Sequence, residues 1–279
     1  MHSLARIVAA SAMVSCGAVT LSAQWPNVVT KVPRTAAGTP NLTAPAPKLA
    51  GGKTPDLSGV WDAEKRPCDE ATERLGCIDA QQGLPVGFLN LAGGDTRPPM
   101  QPWAEALVKQ RGDSGGKDDP SARCLPLAPP RTWPNFSLQK IIHTPDSLAI
   151  LDEYMLQYRQ IFLDGRRLPT NPEPAFKGYS VGKWEGDTLV VETTGFRDDG
   201  WLDSMGHPLT DQGRTIERIR RVNFGHLEVE VTVNDPKAYT QPWTTKINLS
   251  LVPNTELLEY VCNENEKSLQ HMIGANAAN

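Results

Sequence analysis

The sequence predicts a mainly β protein, an antiparallel up-and-down β-barrel with an irregular, partly helical N-terminal wrap. From residue 138 onwards, short runs with alternating apolar residues follow one another across tight turns. The clearest run places Leu227, Val229, Val231 and Val233 on one face and polar residues on the other. No helical segments alternate with these runs. About eight to ten such strands close into a barrel that leaves no exposed edge, and a β-sandwich is the alternative.

The strand boundaries follow from the turn signals. A first strand enters at Asp56–Trp61, and Gly186-Asp187 is the turn of a central hairpin that fixes strand register. Residues 147–150 and 152–162 form either a pair or one long bent strand. The predicted strands are residues 139–144, 147–150, 152–162, 178–183, 188–196, 216–223, 227–234, 243–252 and 256–262.

The segments outside these strands divide the chain further. Residues 1–23 are predicted to be a signal peptide, 24–55 a flexible Pro- and Ala-rich linker, and 266–279 a C-terminal tail. The single barrel domain then covers residues 56–265, with residues 56–137 as its wrap and first strand. One helix is expected within the wrap, beginning at Pro102 and ending at Gly112.

The N-terminus predicts export. Arg6 precedes the mostly apolar or small-residue run Ile7–Leu21, and Ser22-Ala23 provide a small-residue cleavage site. A lipid anchor at Cys16 is the alternative to a secreted or periplasmic protein. No other stretch is apolar enough to cross a bilayer, so no stable membrane insertion is expected. The net charge of −4 without a basic stripe argues against nucleic acid as a partner.

Signal removal leaves four of the five cysteines. An even number in an exported chain predicts two disulfides, and the favoured pairing is Cys68 with Cys77 and Cys124 with Cys262. No Cys-x-x-Cys or His-x-x-x-His spacing occurs, so no metal site is predicted. No phosphate-binding glycine loop or dinucleotide fingerprint occurs either, and no cofactor is expected.

A set of short motifs spreads over the predicted domain. They include Asp56–Trp61, Lys117–Pro120, Cys124–Pro126, Asp164–Arg166, Gly182–Val191, Trp201–Asp203 and Tyr239–Trp243. Together they resemble an abundant, largely uncharacterised family of exported bacterial proteins. The resemblance covers nearly all of residues 56–265 and implies a lipocalin-like barrel, but no particular reaction. Histidines that are frequent in that family near Leu209 and Arg214 are absent, which argues against a multi-histidine metal site.

Two charged strands are candidates to line a site. In the first, Glu153 and Arg159 would share a face with Leu151, Met155, Gln157 and Ile161. Glu153 is a candidate acid–base residue and Arg159 a candidate ligand-binding residue. The alternatives are that this face is solvated, or that the two charges form a structural pair.

The second charged strand is Thr215–Arg221. Glu217 and Arg221 lie on one face, Arg218 on the other, and neither face is purely apolar. All three are candidate ligand-binding residues, because one of the two faces is expected to line a polar lumen. The two arginines could hold an anionic group bidentately. Ion pairs on the protein surface are the alternative interpretation.

A polar loop carries the remaining candidates. Trp201, Asp203 and His207 lie within seven residues of one another. A carboxylate that orients an imidazole is a workable acid–base couple, and the tryptophan could stack on a ligand ring. Alternatively, Asp203 only caps the turn and His207 is exposed. Ser180 lies in a Gly-x-Ser-x-Gly sequence, but strand residues follow it where a nucleophile elbow needs a helix, so it is interpreted as structural.

These observations predict a secreted or periplasmic barrel that binds a small, partly hydrophobic ligand in its lumen or mouth. A cofactor-independent acid–base enzyme on the same barrel, such as a lyase, hydratase, isomerase or hydrolase, is the first alternative. A structural envelope protein is the second.

Overall fold

A computed structural model describes residues 31–66, 84–85, 98–135 and 137–264. The helices are α1 (Pro102–Asp113) and α2 (Pro129–Thr132). The strands are β1 (Gly59–Ala63), β2 (Lys65–Arg66), β3 (Leu84–Pro85), β4 (Gln139–His143), β5 (Ser147–Asp152), β6 (Gln157–Phe162), β7 (Tyr179–Glu185), β8 (Thr188–Thr194), β9 (Gly200–Trp201), β10 (Pro208–Leu209), β11 (Arg214–Asn223), β12 (His226–Asn234) and β13 (Trp243–Leu251). The predicted signal peptide, Cys16, the pair Cys68 and Cys77, and residues 266–279 lie outside the described residues.

Nine of these strands close a mixed β-barrel, which confirms the predicted fold class. Their order around the barrel is β1-β13-β12-β11-β8-β7-β6-β5-β4, and β4 pairs again with β1. The two short pairs β2–β3 and β9–β10 form separate sheets. From β4 to β13 the ring therefore follows the chain order of a meander, and β1 closes it between β13 and β4.

The seam between β6 and β7 departs from the predicted antiparallel pattern. Nine strands cannot alternate in direction around a closed ring, because nine is an odd number, so one neighbouring pair must be parallel. That pair is β6 with β7, and it is joined at only two positions, Ile161 with Ser180 and Phe162 with Val181. Residues 163–178 return the chain from the end of β6 to the start of β7. The most weakly paired wall of the barrel thus lies beside a long connection.

The closing strand also differs from the prediction. Residues 256–262, predicted as the last strand, have no strand structure. The edge of β13 is instead occupied by β1, with Trp61 paired to Leu251. Because the first strand already supplies the hydrogen-bonding partner, the chain after β13 is not needed to close the barrel.

The interior of the barrel contains a continuous apolar core and, beside it, buried polar and charged side chains. Inward residues alternate with exposed ones along each strand, as in β11, where Thr215, Glu217, Ile219 and Arg221 are all buried. The apolar part of the core includes Trp61, Ile141, Leu148, Ile161, Leu189, Ile219, Leu227, Val229 and Leu249. The barrel is therefore filled by its own side chains.

The N-terminal segments pack against this barrel. Helix α1 forms where it was predicted, between Pro102 and Asp113. Part of the predicted linker, residues 31–55, lies on the β11–β12 turn, where Gly225 N–H donates to the Leu42 carbonyl at 2.7 Å. Cys124 and Cys262 form the predicted disulfide, with Cα atoms 5.7 Å apart. No helix among the described residues is both long and apolar enough to cross a membrane.

Removal of the Cys124–Cys262 disulfide should destabilise the protein strongly. The bond joins residues separated by 138 positions, and cross-linking so long a segment restricts the unfolded chain. The double variant Cys124→Ser/Cys262→Ser should lose about 2–5 kcal/mol in free energy of unfolding, measured by urea denaturation. Reduction of the wild type should lower its stability similarly. Equal stability of variant and wild type would contradict the expectation.

His143 should make the fold sensitive to mild acid. Its side chain is fully buried, its Nδ1 accepts the Leu57 N–H at 3.3 Å, and Asp56 Oδ1 is the nearby acid at 3.8 Å. Burial lowers the pKa of His143 below its ordinary value of 6.5, with the Asp56 charge opposing the shift. The unfolded chain therefore takes up this proton more readily, and stability falls as the pH drops below about 6.5.

The measurement is the free energy of unfolding at pH 8, 7, 6 and 5.5 in the wild type and in His143→Asn, whose side-chain oxygen can still accept the Leu57 N–H. The variant should lose less stability over this interval than the wild type does. Parallel pH profiles would show that His143 is not responsible.

Candidate functional site

A buried ion pair crosses the barrel interior between β6 and β11. Arg159 donates through Nη1 to Glu217 Oε1 at 3.0 Å and through Nη2 to Oε2. Their side chains are 2% and 0% exposed. Trp133, directly after α2, donates its indole N–H to the same carboxylate at 2.5 Å. Trp133 of the N-terminal wrap is thereby hydrogen-bonded to the barrel interior through the Glu217 carboxylate.

The Arg159 guanidinium is further satisfied by two hydroxyl groups. Its Nε donates to Ser180 Oγ at 3.2 Å, and its Nη2 donates to Thr193 Oγ1 at 2.9 Å. Ser180 thus has a structural role in this network, as the sequence indicated. The structure brings the predicted residues Arg159 and Glu217 together, but each is the other's partner. The positive charge of Arg159 is compensated within the protein.

A second buried pair, unforeseen in the sequence, lies beside the first. Lys177, in the connection before β7, donates to Asp152 Oδ2 at 3.2 Å, and the side chains are 15% and 1% exposed. Burial raises the pKa of Asp152 and lowers the pKa of Lys177, and their mutual attraction only partly opposes these shifts. The charges of Arg159 and Glu217 also act on Lys177. We call these four residues the charge cluster; its formal charges, two positive and two negative, sum to zero.

An open cleft lies where β6 and β7 splay apart, and we call it the β6–β7 cleft. Its volume is about 500 Å³. Apolar and aromatic residues form the larger part of its lining, and Arg159 and Lys177 reach it from the charge cluster. The other polar lining residues are Gln157, Gln160 and Ser180. The apolar lining residues include Met155, Phe162, Phe176 and Tyr179. The seam imposed by the odd number of strands is therefore also the place where the wall is open.

The rim of the cleft combines exposed apolar surface with an unusual backbone. Leu156 is 56% exposed and Tyr158 is 71% exposed, although both are large hydrophobic residues. Met155 and Leu156 adopt positive φ angles of 67° and 47° in the turn between β5 and β6. Residues other than glycine rarely occupy this left-handed region, and such strain is concentrated at functional sites. Exposed apolar patches likewise mark binding surfaces.

The same turn changes the position of Glu153. The sequence predicted that Glu153 and Arg159 share one face of a continuous or paired strand, but the 3-10 turn Tyr154–Leu156 separates β5 from β6. Glu153 lies in that turn and accepts the Leu258 N–H at 3.2 Å. It does not join Arg159 in the barrel interior, because the chain reverses between them.

The arginines of β11 point in different directions. Arg218 faces outward and donates to Glu185 Oε2 at 3.0 Å, with both side chains 43% exposed. Arg221 faces inward, where it donates to the backbone carbonyls of Asp56 and Ser58 at 2.6 and 3.0 Å. Burial lowers the pKa of Arg221 to about 10. Neither arginine lines the β6–β7 cleft, so the interpretation of Arg218 as a surface ion pair fits its position.

The loop after β8 holds its predicted histidine–carboxylate couple. His207 Nδ1 lies 2.7 Å from Asp203 Oδ2, and both residues are buried. Asp203 Oδ1 also accepts the backbone N–H groups of Met205 and His207, so the aspartate caps the turn as well as orienting the ring. His207 is not the exposed residue of the alternative interpretation. Among the described residues, its ring is hydrogen-bonded to no hydroxyl or thiol nucleophile.

Trp201 is already engaged with the protein. It is buried, and the Arg111 guanidinium lies 4.4 Å from the centre of its ring. Trp201 borders a small pocket of about 10 Å³, which has room for about one water molecule. Phe176 and Pro126 line both this pocket and the β6–β7 cleft. The predicted loop therefore adjoins the cleft without contributing its acid–base couple to it.

The sequence contained one overlooked signal for this site. Asp152 follows Leu148 and Ile150 on the inward face of β5, and an acid at the end of an apolar face needs a partner. Lys177 and Phe176 carry no such signal, because they lie in a connection without periodicity. Only the path of that connection beside β6 brings them to the site.

Comparison with known proteins adds no functional assignment. No protein-family model matches the sequence, and no curated protein is significantly similar to it. In the part of the chain that the structure describes, no three His, Cys, Asp or Glu side chains are grouped as metal ligands. The function must therefore be inferred from the chemistry of the site itself.

Loss of one partner from the buried pair should be far more costly than loss of an exposed pair. Arg159→Met leaves the Glu217 carboxylate buried without its cation, so the free energy of unfolding should fall by about 3–5 kcal/mol. Arg218→Met, the matched control, removes the exposed pair with Glu185 and should cost at most about 1 kcal/mol. Urea denaturation measures both. Similar losses in the two variants would contradict the assigned roles.

Proposed function

We propose that the protein is an exported barrel that binds a small, partly hydrophobic ligand in the β6–β7 cleft. The observation that carries the proposal is the open, mainly apolar cleft of about 500 Å³ with an amine at its edge. Binding sites for small molecules are commonly concave, apolar and of this size, with a few polar groups that orient the ligand.

The barrel interior is a poorer candidate than the cleft. Inward side chains such as Trp61, Ile150 and Val231 form one continuous core with almost no exposed surface. A ligand in the lumen would have to displace these close-packed groups. A ligand in the cleft would instead cover Leu156 and Tyr158, which are exposed to solvent.

The cleft favours a ligand with an apolar, preferably aromatic, body and one hydrogen-bond acceptor. Phe162, Phe176 and Tyr179 provide aromatic surfaces, and Lys177 provides a hydrogen-bond donor. Other polar lining residues are Gln157, Arg159, Gln160 and Ser180. Because the charge cluster is neutral overall, the ligand need not be strongly anionic.

Export is part of the proposal. The Cys124–Cys262 disulfide supports it, because such bonds form and persist mainly in oxidising compartments. The predicted signal sequence agrees with it.

The acid–base alternative is less favoured by the geometry. Glu153 bonds to the backbone of Leu258, whereas Asp203 and His207 form their own couple in another loop. The three predicted catalytic residues do not converge on one substrate position. Asp203 with His207 is the part of that alternative that retains a workable arrangement.

Blocking the cleft should abolish ligand retention. Gln160 is exposed and lines the cleft, so Gln160→Trp should fill part of it. Asn248 is exposed on β13, and Asn248→Trp is the matched control for an added surface indole. Both variants and the wild type are purified from the native host, and bound small molecules are extracted and quantified by mass spectrometry.

The wild type and Asn248→Trp should each retain the same small molecule in near-stoichiometric amount, and Gln160→Trp should retain about tenfold less. A tenfold loss corresponds to only about 1.4 kcal/mol of binding free energy. Equal retention by Gln160→Trp, or a wild type that carries no small molecule, would overturn the proposal.

A further inference from the structure

We propose that Lys177 is a reactive amine that forms an imine with an aldehyde or ketone in the β6–β7 cleft, with Asp152 as its proton acceptor and donor. This inference rests on the proposed function and names the substrate class of the same cleft.

The position of Lys177 meets the first requirement, which is access. Lys177 lines the cleft, and its side chain retains 15% exposure. In the chain as described, its Nζ makes one hydrogen bond, to Asp152. The 3.2 Å length is greater than the 2.7–2.9 Å typical of a charge-assisted hydrogen bond. The remaining positions on the nitrogen are therefore open to a ligand.

The surroundings of Asp152 indicate a protonated carboxyl group. Its second oxygen, Oδ1, is buried and has no hydrogen-bond partner among the described residues, and the same holds for Gln139 Oε1. Asp152 and Gln139 face each other across β5 and β4, both on the inward side. The Gln139 amide nitrogen already donates to the Thr132 carbonyl. Two buried acceptors thus lie on paired residues of neighbouring strands, and neither has a donor among the described residues. A proton on Asp152 Oδ1 would supply such a donor.

A protonated Asp152 leaves Lys177 without its counter-ion. An ammonium would then remain buried close to the Arg159 cation, with Glu217 already neutralised by Arg159. The neutral amine is the better form in that environment. Transfer of a proton from Lys177 Nζ to the Asp152 carboxylate, which then carries it on Oδ1, produces the neutral amine without changing the net charge of the charge cluster. Burial favours the same form, since it lowers the pKa of Lys177 and raises that of Asp152.

Imine formation then needs only the Lys177 amine, the carbonyl compound and the Asp152 carboxyl group. The Nζ lone pair attacks the carbonyl carbon, a C–N bond forms, and the carbonyl oxygen becomes the hydroxyl of a carbinolamine as the proton on nitrogen is transferred through Asp152. The Asp152 carboxylic acid protonates that hydroxyl, the C–O bond breaks, and water leaves. The protonated imine formed in this way returns its N–H proton to the Asp152 carboxylate, which leaves the imine and the carboxylic acid. The overall reaction is carbonyl plus amine to imine plus water.

The aromatic lining is suited to such a substrate. Phe176 and Tyr179 flank Lys177 in the sequence and line the same cleft. An aromatic or unsaturated aldehyde would place its ring on these apolar surfaces and its oxygen towards Lys177.

Reductive trapping tests the inference on the intact wild-type protein. Benzaldehyde and sodium cyanoborohydride are added at pH 7, and the labelled lysines are identified by peptide mass spectrometry. Lys177 should be benzylated at least tenfold faster than the exposed residues Lys183 and Lys246, which serve as internal controls. The internal comparison needs no variant that might fail to fold. A Lys177 rate no greater than that of Lys246 overturns the inference.

Two variants separate a reactive role from a structural one. Asp152→Asn should slow labelling of Lys177 at least tenfold, because no carboxyl group remains to transfer protons. It should also shift the pH profile of Lys177 to lower pH, because the Asp152 carboxylate raises the pKa of Lys177. The labelling of Lys246 should be unchanged. Lys246→Met should leave the Lys177 rate unaltered. An unchanged Lys177 rate and pH profile in Asp152→Asn would exclude the proton-transfer role.

Failure of this inference is distinguishable from failure of the proposed function. If Lys177 is not labelled selectively, while the wild type retains a small molecule that Gln160→Trp does not, the reactive-amine inference falls and the binding function stands. If the small molecule is also not retained, both fall.

Discussion

An odd number of strands in a closed ring constrains the rest of this structure. One neighbouring pair must be parallel, and the barrel places that pair at β6 and β7. A parallel neighbour requires a long return connection, which here is residues 163–178. The pairing is short, the walls diverge, and the connection supplies side chains to the opening. The β6–β7 cleft therefore lies at the parallel strand pair that closure of a nine-stranded barrel requires.

The buried carboxylate of Glu217 links the barrel to its N-terminal wrap. It accepts hydrogen bonds from Arg159 of the barrel wall and from the Trp133 indole of the wrap. A buried ion pair of this kind costs much desolvation energy, so it is weak evidence for net stability. Its structural effect is to join the Trp133 side chain of the wrap to the same carboxylate that pairs with Arg159. The same network holds Ser180 and Thr193 and so shapes the floor beside the cleft.

The two buried pairs of the charge cluster differ in a way that bears on function. Arg159 and Glu217 are saturated by hydrogen bonds from several elements. Lys177 and Asp152 share one long hydrogen bond, and one oxygen of Asp152 has no partner among the described residues. Fully satisfied charges rigidify a protein, whereas under-satisfied ones can exchange protons with a ligand. The proposed imine formation is therefore assigned to Lys177, with Asp152 as the proton carrier.

The sequence by itself predicted most of the strands and the helix that begins at Pro102, because alternation and turn residues are local signals. The even cysteine count predicted disulfides, and Cys124–Cys262 was the favoured pairing among those that the count allows. It also indicated Arg159 and Glu217 as candidates to line a site, and it located the Asp203–His207 couple. It could not show that Glu153 leaves the strand, because that depends on a turn with two left-handed residues and no glycine.

Only the tertiary structure decided which side chains meet. Lys177 reaches Asp152 because the connection between parallel strands passes that end of the barrel. β1, and not residues 256–262, occupies the edge of β13 because the first strand is already aligned there. Such contacts between distant segments depend on ring closure and strand direction. These are properties of the whole assembly of strands, and no local pattern of residues encodes them.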